Sequence, residues 1–421
     1  MHHLRRLGPG LPRAVWLVEA GSLTSSIGNG LVIPFAVIYL HNVRGFSLAI
    51  AGLVVAMLNG LAIVTGPSAG AVIDRVGPRP ALVASITLLA AGFCGLAFVE
   101  RPWQAFAAAA VAGAGNGGFS PSHYGFVSSI ASRDRLHSAY ALRRMADNAG
   151  LGVGAAVGGS IAALGSAAAY QALFLADAAS FVVFIGIVAA IRAQPPPLVR
   201  RTPAASYARA VRDRALLGQL ILNVVLMTAG AGLLETGVFF AFVRNDVGLS
   251  ARTVGLLFFA GTAAILVTQL PIARALEGRR RMLGIAGVGV LWTAAWFCAL
   301  AGDVVISAAA ATAVLTVAVI LFAAGEALHA PIHRGVVADL APRGLEGRYT
   351  ALVTTSARVG LTLGPALGGV TLAWSAKALW PAAAGACLAG GALALVLERS
   401  LPANAQRTPV PAAPRELSAT T

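Results

Sequence analysis

Acidic and imidazole side chains lie inside long apolar stretches, where an ionised group is costly, so each is a candidate for proton chemistry or ligand binding. Glu326, His329 and His333 follow one another at spacings of three and four, which predicts that they share one stripe of a helix. Glu235 lies within a separate apolar run. Together they predict a carboxylate that takes up a proton and histidines that pass it toward the cytosol. The alternative is a structural acid paired with an arginine, with His333 at the lipid headgroups.

Other polar residues at membrane depth would complete such a site. Arg358 lies well inside an apolar run and needs a carboxylate or a water-filled cavity, so Glu326 and Glu235 are its candidate partners. Asn29 and Asn116 offer uncharged polar contacts from the first half of the chain. The resulting cavity would be electrostatically asymmetric.

A further charged group lies near the predicted inner surface. Arg144 and Asp147 are three residues apart on one predicted helix and are candidates for an ion pair or for substrate contacts. Glu19, near the start of the first apolar run, can neutralise Arg143 or Arg144. The three cysteines have no metal-ligand spacing, and we expect neither a metal nor a cofactor.

Membrane-spanning helices must hold these residues, because 57% of the chain is hydrophobic, 11% is charged and the mean hydropathy is +0.79. A helix that crosses the hydrocarbon core, roughly 30 Å thick, needs about 20 apolar residues. The sequence predicts an all-α membrane protein with twelve such helices, at residues 14–40, 48–72, 80–99, 103–127, 138–164, 168–191, 215–243, 251–273, 281–301, 304–333, 349–373 and 378–397.

The net charge of +15 reports membrane topology. With the N-terminus inside, most of the 31 basic residues fall in the termini and even-numbered loops, which is the positive-inside distribution. This arrangement predicts a multi-pass protein with both termini cytoplasmic and with contacts to anionic lipid headgroups. It argues against nucleic-acid binding. The exceptions are Arg44, Arg101, Arg244, Arg252, Lys377 and the intramembrane Arg358.

The chain repeats itself at a constant offset. Residues 121–127 align with 331–337, and residues 150–159 align with 360–369. Two pseudo-symmetric six-helix bundles follow, at 14–191 and 215–397. The flanking segments are a cytoplasmic N-terminal segment at 1–13, a basic linker at 192–214 and a disordered cytoplasmic tail at 398–421. Within the linker, residues 207–214 could form an amphipathic surface helix or be disordered.

A charged motif, G-x-x-x-D-R-x-G-x-R, separates the second and third predicted helices. It consists of Gly70, Asp74, Arg75, Gly77 and Arg79, which we call the latch loop. Asp74 can accept hydrogen bonds from either arginine or from a helix terminus, so the loop could latch one conformation. The alternative is a loop that only fixes topology.

The latch loop resembles the loop between helices 2 and 3 of the major facilitator superfamily of membrane transporters. The resemblance extends over nearly the whole chain and implies two six-helix halves with substrate held between them. The second half lacks a clean copy of the loop. Gly278 and Arg280 resemble Gly77 and Arg79, but no Asp-Arg pair remains, and Glu277 is the available acid.

Small residues at spacings of three and four let helices approach closely in a bilayer. On predicted helix 11 they read G-x-x-x-G-P-x-x-G-G, which resembles an element that drug/proton antiporters of the superfamily carry on helix 5. Here helix 5 has Ala155 at the proline position, which weakens the antiporter interpretation. The predicted helix-packing residues are Gly150, Gly154, Gly158, Gly159, Gly360, Gly364, Pro365, Gly368 and Gly369.

The chain has no phosphate-binding G-x-x-x-x-G-K-[ST] and no catalytic constellation, so we expect a transporter driven by an ion gradient and not an enzyme. With the resemblance, the sequence predicts a monomeric secondary transporter of the plasma membrane that works by alternating access, with protons as coupling ion. The predicted activity is export of small amphipathic or cationic compounds. The alternatives are an uptake symporter or facilitator for a sugar or other metabolite, and a non-transporting or lipid-handling membrane protein.

Overall fold

The computed structural model describes residues 10–191 and 207–409. Twelve long helical rods account for nearly all of this part of the chain, which confirms the predicted all-α fold. We number them α1 (Arg13–Val43), α2 (Leu48–Val76), α3 (Pro78–Ala97), α4 (Pro102–Ile130), α5 (Leu136–Ala162), α6 (Ala167–Ala190), α7 (Arg214–Asn245, interrupted), α8 (Ala251–Ala275), α9 (Arg281–Val304), α10 (Ala308–Leu340), α11 (Glu346–Trp374) and α12 (Ala376–Leu397).

Length and hydropathy alone qualify nine of these rods, among the described residues, as membrane spans. The other three, α4, α5 and α11, have 29, 27 and 29 residues and are also long enough to cross the bilayer. Their lower hydropathy follows from the polar and charged side chains that they carry toward the centre of the protein.

Two rods are irregular near mid-length. In α1, the α-helix Arg13–Val32 gives way to a 3₁₀ turn at Ile33–Phe35, where Pro34 cannot donate a backbone hydrogen bond. In α7, the α-helix ends at Ala229, a short turn follows at Ala231–Leu234, and the helix resumes at Val238–Asn245.

The predicted span at 215–243 is present, but the sequence prediction did not include this interruption. Gly237 has φ +90°, a left-handed backbone conformation that glycine adopts without strain, and this residue ends the interruption of α7. Glu235 lies in the resulting non-helical turn instead of in the middle of a regular helix.

The helices form two bundles, α1–α6 and α7–α12, which meet along α2 with α11 and along α5 with α8. We call the end that carries the α1–α2, α3–α4, α5–α6, α7–α8, α9–α10 and α11–α12 connections the odd-loop face. The opposite end is the even-loop face. At the odd-loop face the two halves touch directly, since Asn42 Nδ2 donates to Asn245 Oδ1 at 2.7 Å.

The C-terminal segment is ordered further than the sequence indicated. Beyond α12 come a 3₁₀ turn at Glu398–Ser400 and a helical turn at Ala403–Gln406. The helical turn packs against α10 and α9, and Ala405 is fully buried. Arg281 Nη1 donates to Asp339 Oδ2 at 2.6 Å and to the Ala405 carbonyl at 3.3 Å. The predicted disordered tail at 398–421 is therefore wrong for residues 398–409, and the remainder lies outside the described residues.

Most of the predicted linker at 192–214 also lies outside the described residues. Its end is described: Tyr207–Ala210 forms one helical turn, and Asp213 caps α7 by accepting from the Ala215 and Leu216 amides. Tyr349 Oη donates to Asp213 Oδ2 at 2.7 Å, which ties the linker end to α11.

Candidate functional site

A cavity of about 270 Å³ lies between the halves, and we call it the central cavity. Its walls are apolar except for a few polar groups. The predicted cavity residues Asn29 of α1 and Asn116 of α4 both line it, and Glu235 and Thr236 reach it from the interruption of α7. Such a largely apolar space with a few convergent polar groups fits a small-molecule site.

A second cavity of about 190 Å³ lies against the C-terminal half, and we call it the acidic cavity. Glu235 and Glu326 both line it, together with Asn148 of α5 and Thr262 of α8. Because Glu235 lines both cavities, this residue lies on the wall between them. The structure thus brings together the two carboxylates that were singled out from the sequence.

The two histidines do not join them. His329 and His333 stack on each other at 5.4 Å between ring centroids, and His329 lies at 5.7 Å from the ring of Trp292 on α9. Both histidines are buried, and neither lines the acidic cavity. The three residues therefore do not form one functional stripe: Glu326 lines the acidic cavity, His329 packs on Trp292 of α9, and His333 stacks on His329.

Arg358 does not pair with either of its predicted partners among the described residues. Its Nη2 lies 3.5 Å from the Asn116 carbonyl, across the interface between the halves. The internal repeat aligns Asn116 with Glu326 and Asn148 with Arg358. The contact between Arg358 and Asn116 is therefore the repeat equivalent of the pair Asn148 and Glu326, which both line the acidic cavity.

The ion pair predicted between Arg144 and Asp147 is replaced by one between Arg143 and Asp147. Arg143 Nε lies 3.3 Å from Asp147 Oδ2, at the favourable spacing of four. Asp147 also accepts from Ser26 on α1 at 2.9 Å. Among the described residues, no hydrogen bond joins Arg144 to Asp147.

Arg144 instead lines a space that opens on the even-loop face. This even-loop cavity has a volume of about 530 Å³, and its lining residues are Tyr124, Tyr140, Arg143, Arg144, Asp147 and Arg334. Arg144 and Arg334 come from opposite halves and both lie within electrostatic reach of Glu326. Sequence reasoning missed Arg334 and Asn148. The internal repeat could have indicated only Asn148, because Asn148 aligns with Arg358.

The glycine motifs of α5 and α11 lie at close helix contacts. Gly150, Gly154 and Gly158 pack on α1, and Gly360, Gly364 and Gly368 pack in the same way on α7. The last glycine of each motif crosses to the other half: Gly159 packs on α8 near Gly255, and Gly369 packs on α2 near Gly52. The two crossing contacts close the odd-loop face.

The latch loop is mainly helical, which corrects the predicted charged turn. Gly70, Asp74 and Arg75 belong to the last turns of α2, and the turn itself is Gly77, with φ +89°. Arg79 Nε donates to the Val188 carbonyl at 3.2 Å, at the end of α6. A guanidinium there is favourable, since the last carbonyls of a helix are unpaired and carry partial negative charge.

The α8–α9 connection of the second half has the same glycine turn and arginine, but here the arginine binds a carboxylate instead of a backbone carbonyl. Gly278 has φ +71°, and Arg280 forms an ion pair with Glu398, just after α12. Hydrogen bonding to Glu398 raises the pKa of the Arg280 guanidinium. Each half therefore ties its second connection to its own last helix through an arginine. Glu277, the acid proposed from the sequence, is exposed.

Comparison with known proteins decides the family. The Major Facilitator Superfamily model matches residues 20–242 and 220–420. The chain belongs to the major facilitator superfamily. This membership agrees with the two-bundle architecture and the cavities between the halves.

Superfamily relatives align over most of the chain. An uncharacterized MFS-type transporter, YttB, of Bacillus subtilis (strain 168) is 26% identical over 378 residues, which cover 86% of this chain and 88% of the relative. The multidrug resistance protein MdtH of Edwardsiella ictaluri (strain 93-146) is 26% identical over 344 residues and 81% of each chain.

Solved superfamily structures share the fold. A D-xylose-proton symporter superposes with a TM-score of 0.74 at 15% identity, over 94% of this chain and 98% of the symporter. The nucleoside transporter NupG, as its D323A mutant, superposes with a TM-score of 0.74 at 13% identity, over 91% and 100%. These superfamily proteins are transporters and not enzymes, as predicted for this chain.

In a superfamily transporter whose halves must move, loosening the arginine contact of the latch loop should slow turnover. Arg79→Gln removes the charge that binds the end of α6, and we expect transport to fall by about fivefold while membrane insertion is unchanged. The measurement is initial transport rate per molecule inserted. Arg75→Gln is the matched control, because Arg75 is exposed in the same loop. Equal losses in both variants would show that the loop acts only through its total charge.

Proposed function

We propose that this protein is a proton-coupled exporter of small amphipathic or cationic compounds that works by alternating access. One observation carries the proposal: Glu235 and Glu326 line one cavity at the interface between the halves. Two carboxylates that face one enclosed space are costly to hold ionised together, so a proton or a cationic ligand neutralises at least one of them.

The position of Glu235 supports competition between proton and substrate. This residue lines both the central and the acidic cavity, so a cationic group bound in the central cavity reaches the same carboxylate that a proton would neutralise. Mutually exclusive binding at one acid gives antiport, since the carrier returns loaded with protons after it releases substrate. Irregular backbone at the interruption of α7 fits this role, because discontinuous helices supply binding sites in many transporters.

The cavity walls support an amphipathic substrate. Phe93, Phe119, Phe174 and Phe181 line the central cavity, while Asn29, Asn59, Asn116 and Thr236 supply uncharged polar contacts. Aromatic walls accommodate varied apolar bodies without fixed hydrogen-bond geometry. The name of the MdtH relatives, multidrug resistance protein, is consistent with such a range of compounds.

The membrane orientation belongs to the same proposal. The even-loop face, which carries most of the basic residues, is cytoplasmic, and the membrane is the plasma membrane. In this orientation the even-loop cavity opens to the cytosol, and the odd-loop face is closed. The protein acts as a monomer, since each molecule contains both halves of the transport pathway.

The proposal is tested with purified protein in liposomes and with ethidium, a cationic dye. A pH gradient that is acid inside should drive ethidium into the liposomes, and a protonophore should abolish that accumulation. Liposomes without protein are the control. Accumulation driven by the opposite gradient would identify proton symport, and dye movement indifferent to either gradient would contradict proton coupling.

A further inference from the structure

A buried acid–imidazole pair lies in the N-terminal half, separate from the residues of the acidic cavity. Glu19 of α1 and His123 of α4 approach to 3.9 Å between Oε2 and Nε2, and their side chains are 2% and 0% exposed. Neither the carboxylate oxygens of Glu19 nor the ring nitrogens of His123 have a hydrogen-bond partner among the described residues. Four buried polar atoms at one place without partners are unusual, because buried polar groups are nearly always satisfied.

The surrounding helices make no hydrogen bond to this pair among the described residues. From α5, Arg143 faces the pair: its Nε lies 3.3 Å from Asp147 Oδ2, and its buried Nη1 has no hydrogen-bond partner in the described chain. The same guanidinium lies over the ring of Tyr124, at 4.8 Å from the centroid. The contact from α6 is the uncharged ring of Phe184, at 6.2 Å from the His123 ring.

The remaining neighbours do not change this balance. Asp147 is bound by Arg143 and by Ser22 and Ser26 of α1, and the ring of Phe119 lies tilted to that of His123 at 5.9 Å between centroids. The contact at 3.9 Å is the one ionic contact that either Glu19 or His123 makes among the described residues. An ionised carboxylate at this depth would be costly, whereas one shared proton gives a carboxyl oxygen and an imidazole nitrogen a hydrogen-bond partner.

We propose that Glu19 and His123 together form a second proton-binding site, which holds one proton shared between the carboxyl oxygen and the imidazole nitrogen. The proton enters from the even-loop face. Arg143 and Tyr124 line the even-loop cavity and contact each other. These two side chains therefore separate the Glu19–His123 pair from that cavity. A small shift of α1 against α4 brings the two groups from 3.9 Å into hydrogen-bond contact.

The repeat shows why the two halves differ. His123 aligns with His333, and both are buried without hydrogen-bond partners in the described chain. The position equivalent to Glu19 in the second half is Ala229, so His333 has no acid beside it and stacks on His329 instead. Each half thus carries one acid-based proton site, built from different helices. The proton site at Glu19 needs no substrate and stands apart from the function proposed for Glu235 and Glu326.

Infrared spectroscopy tests this site directly. Difference spectra between acid and alkaline pH are recorded for the full chain in lipid nanodiscs, with Glu235→Gln and Glu326→Gln present to remove those carboxyl signals. We expect a carboxyl C=O band and an imidazole ring band that titrate with one midpoint. Glu19→Gln should remove the carboxyl band, and His123→Gln should move its midpoint by about one pH unit or more.

The controls are exposed groups of the same types, Glu277→Gln and His137→Gln, which should leave the paired bands unchanged. If Glu19→Gln prevents folding, Glu19→Asp keeps the acid at a changed distance and should shift the midpoint. The proposal is overturned if the Glu19→Gln spectrum superposes on its parent, or if the midpoint is the same with and without His123. Because no substrate is involved, that failure would leave the exporter proposal standing.

Discussion

Glu326→Gln is expected to uncouple transport from the proton gradient and to slow gradient-driven efflux by roughly 5- to 150-fold. Gln keeps the size of the side chain but cannot exchange a proton, so the acidic cavity would remain in one protonation state throughout the cycle. Glu235 would then be the one carboxylate of that cavity, and the repulsion between two acids that favours proton uptake would be absent.

The measurement is initial ethidium flux in liposomes at a series of pH gradients. Glu277→Gln serves as the matched control, because Glu277 is an exposed acid in the α8–α9 connection. An unchanged dependence on the gradient in Glu326→Gln would remove this residue from the coupling mechanism. Loss of coupling in the control as well would point to an effect of surface charge.

Gly159→Val is expected to open the odd-loop face and to stop transport while leaving the N-terminal half folded. A Cβ at this position would lie 2.8 Å from the Ala251 carbonyl and 3.1 Å from the Gly255 Cα, both on α8 of the other half. These are backbone atoms, which cannot rotate away, so the two halves must separate. Cysteine accessibility at the odd-loop face should therefore increase, and flux should fall by roughly tenfold or more.

Two glycines provide matched controls for this prediction. Gly154 lies on the same helix but packs on Ile27 and Gly30 of α1, so Gly154→Val should reduce the thermal stability of the N-terminal half instead of opening the odd-loop face. Gly186 of α6 has open space around it, so Gly186→Val should be neutral. Equal odd-loop accessibility in Gly159→Val and Gly154→Val would show that the inter-half contact does not control the closed state.

Much of the architecture was predictable because the bilayer imposes it. Hydropathy windows located the twelve rods, and the internal repeat identified the two bundles. The same repeat anticipated that the glycines of α5 and α11 would make equivalent contacts. Small residues in a membrane allow helix backbones to approach closely, so their spacing predicts helix–helix contacts from the sequence alone.

The site was less predictable, because helical spacing does not say which neighbour a face meets. Glu326 and His329 are three residues apart, but the rotation of α10 sends one toward the cavity and the other against Trp292. Arg358 was expected to pair with a carboxylate, but its guanidinium lies against the backbone carbonyl of Asn116 in the other half. Pairings across the interface depend on how the bundles dock, which no local pattern encodes.

The interruption of α7 and the docked C-terminal segment were missed for different reasons. Gly230 and Gly237 flank the interruption, and a pair of glycines around an intramembrane acid was the available signal. The C-terminal segment has a Pro- and Ala-containing composition typical of disorder, but ion pairing between Arg280 and Glu398 holds its beginning in place. Tertiary contacts outweighed local composition there.

Pulsed electron paramagnetic resonance between the halves tests the central claim, that protonation of Glu235 and Glu326 controls alternating access. Spin labels at Leu164 and Ile306 report the odd-loop face, since both side chains are strongly exposed and belong to opposite halves. The native cysteines Cys94, Cys298 and Cys387 are first replaced. We expect the label distances to shift between two populations as pH changes, and we expect Glu235→Gln with Glu326→Gln to remove that pH dependence. A shift of the same size and midpoint in the double variant would contradict the account.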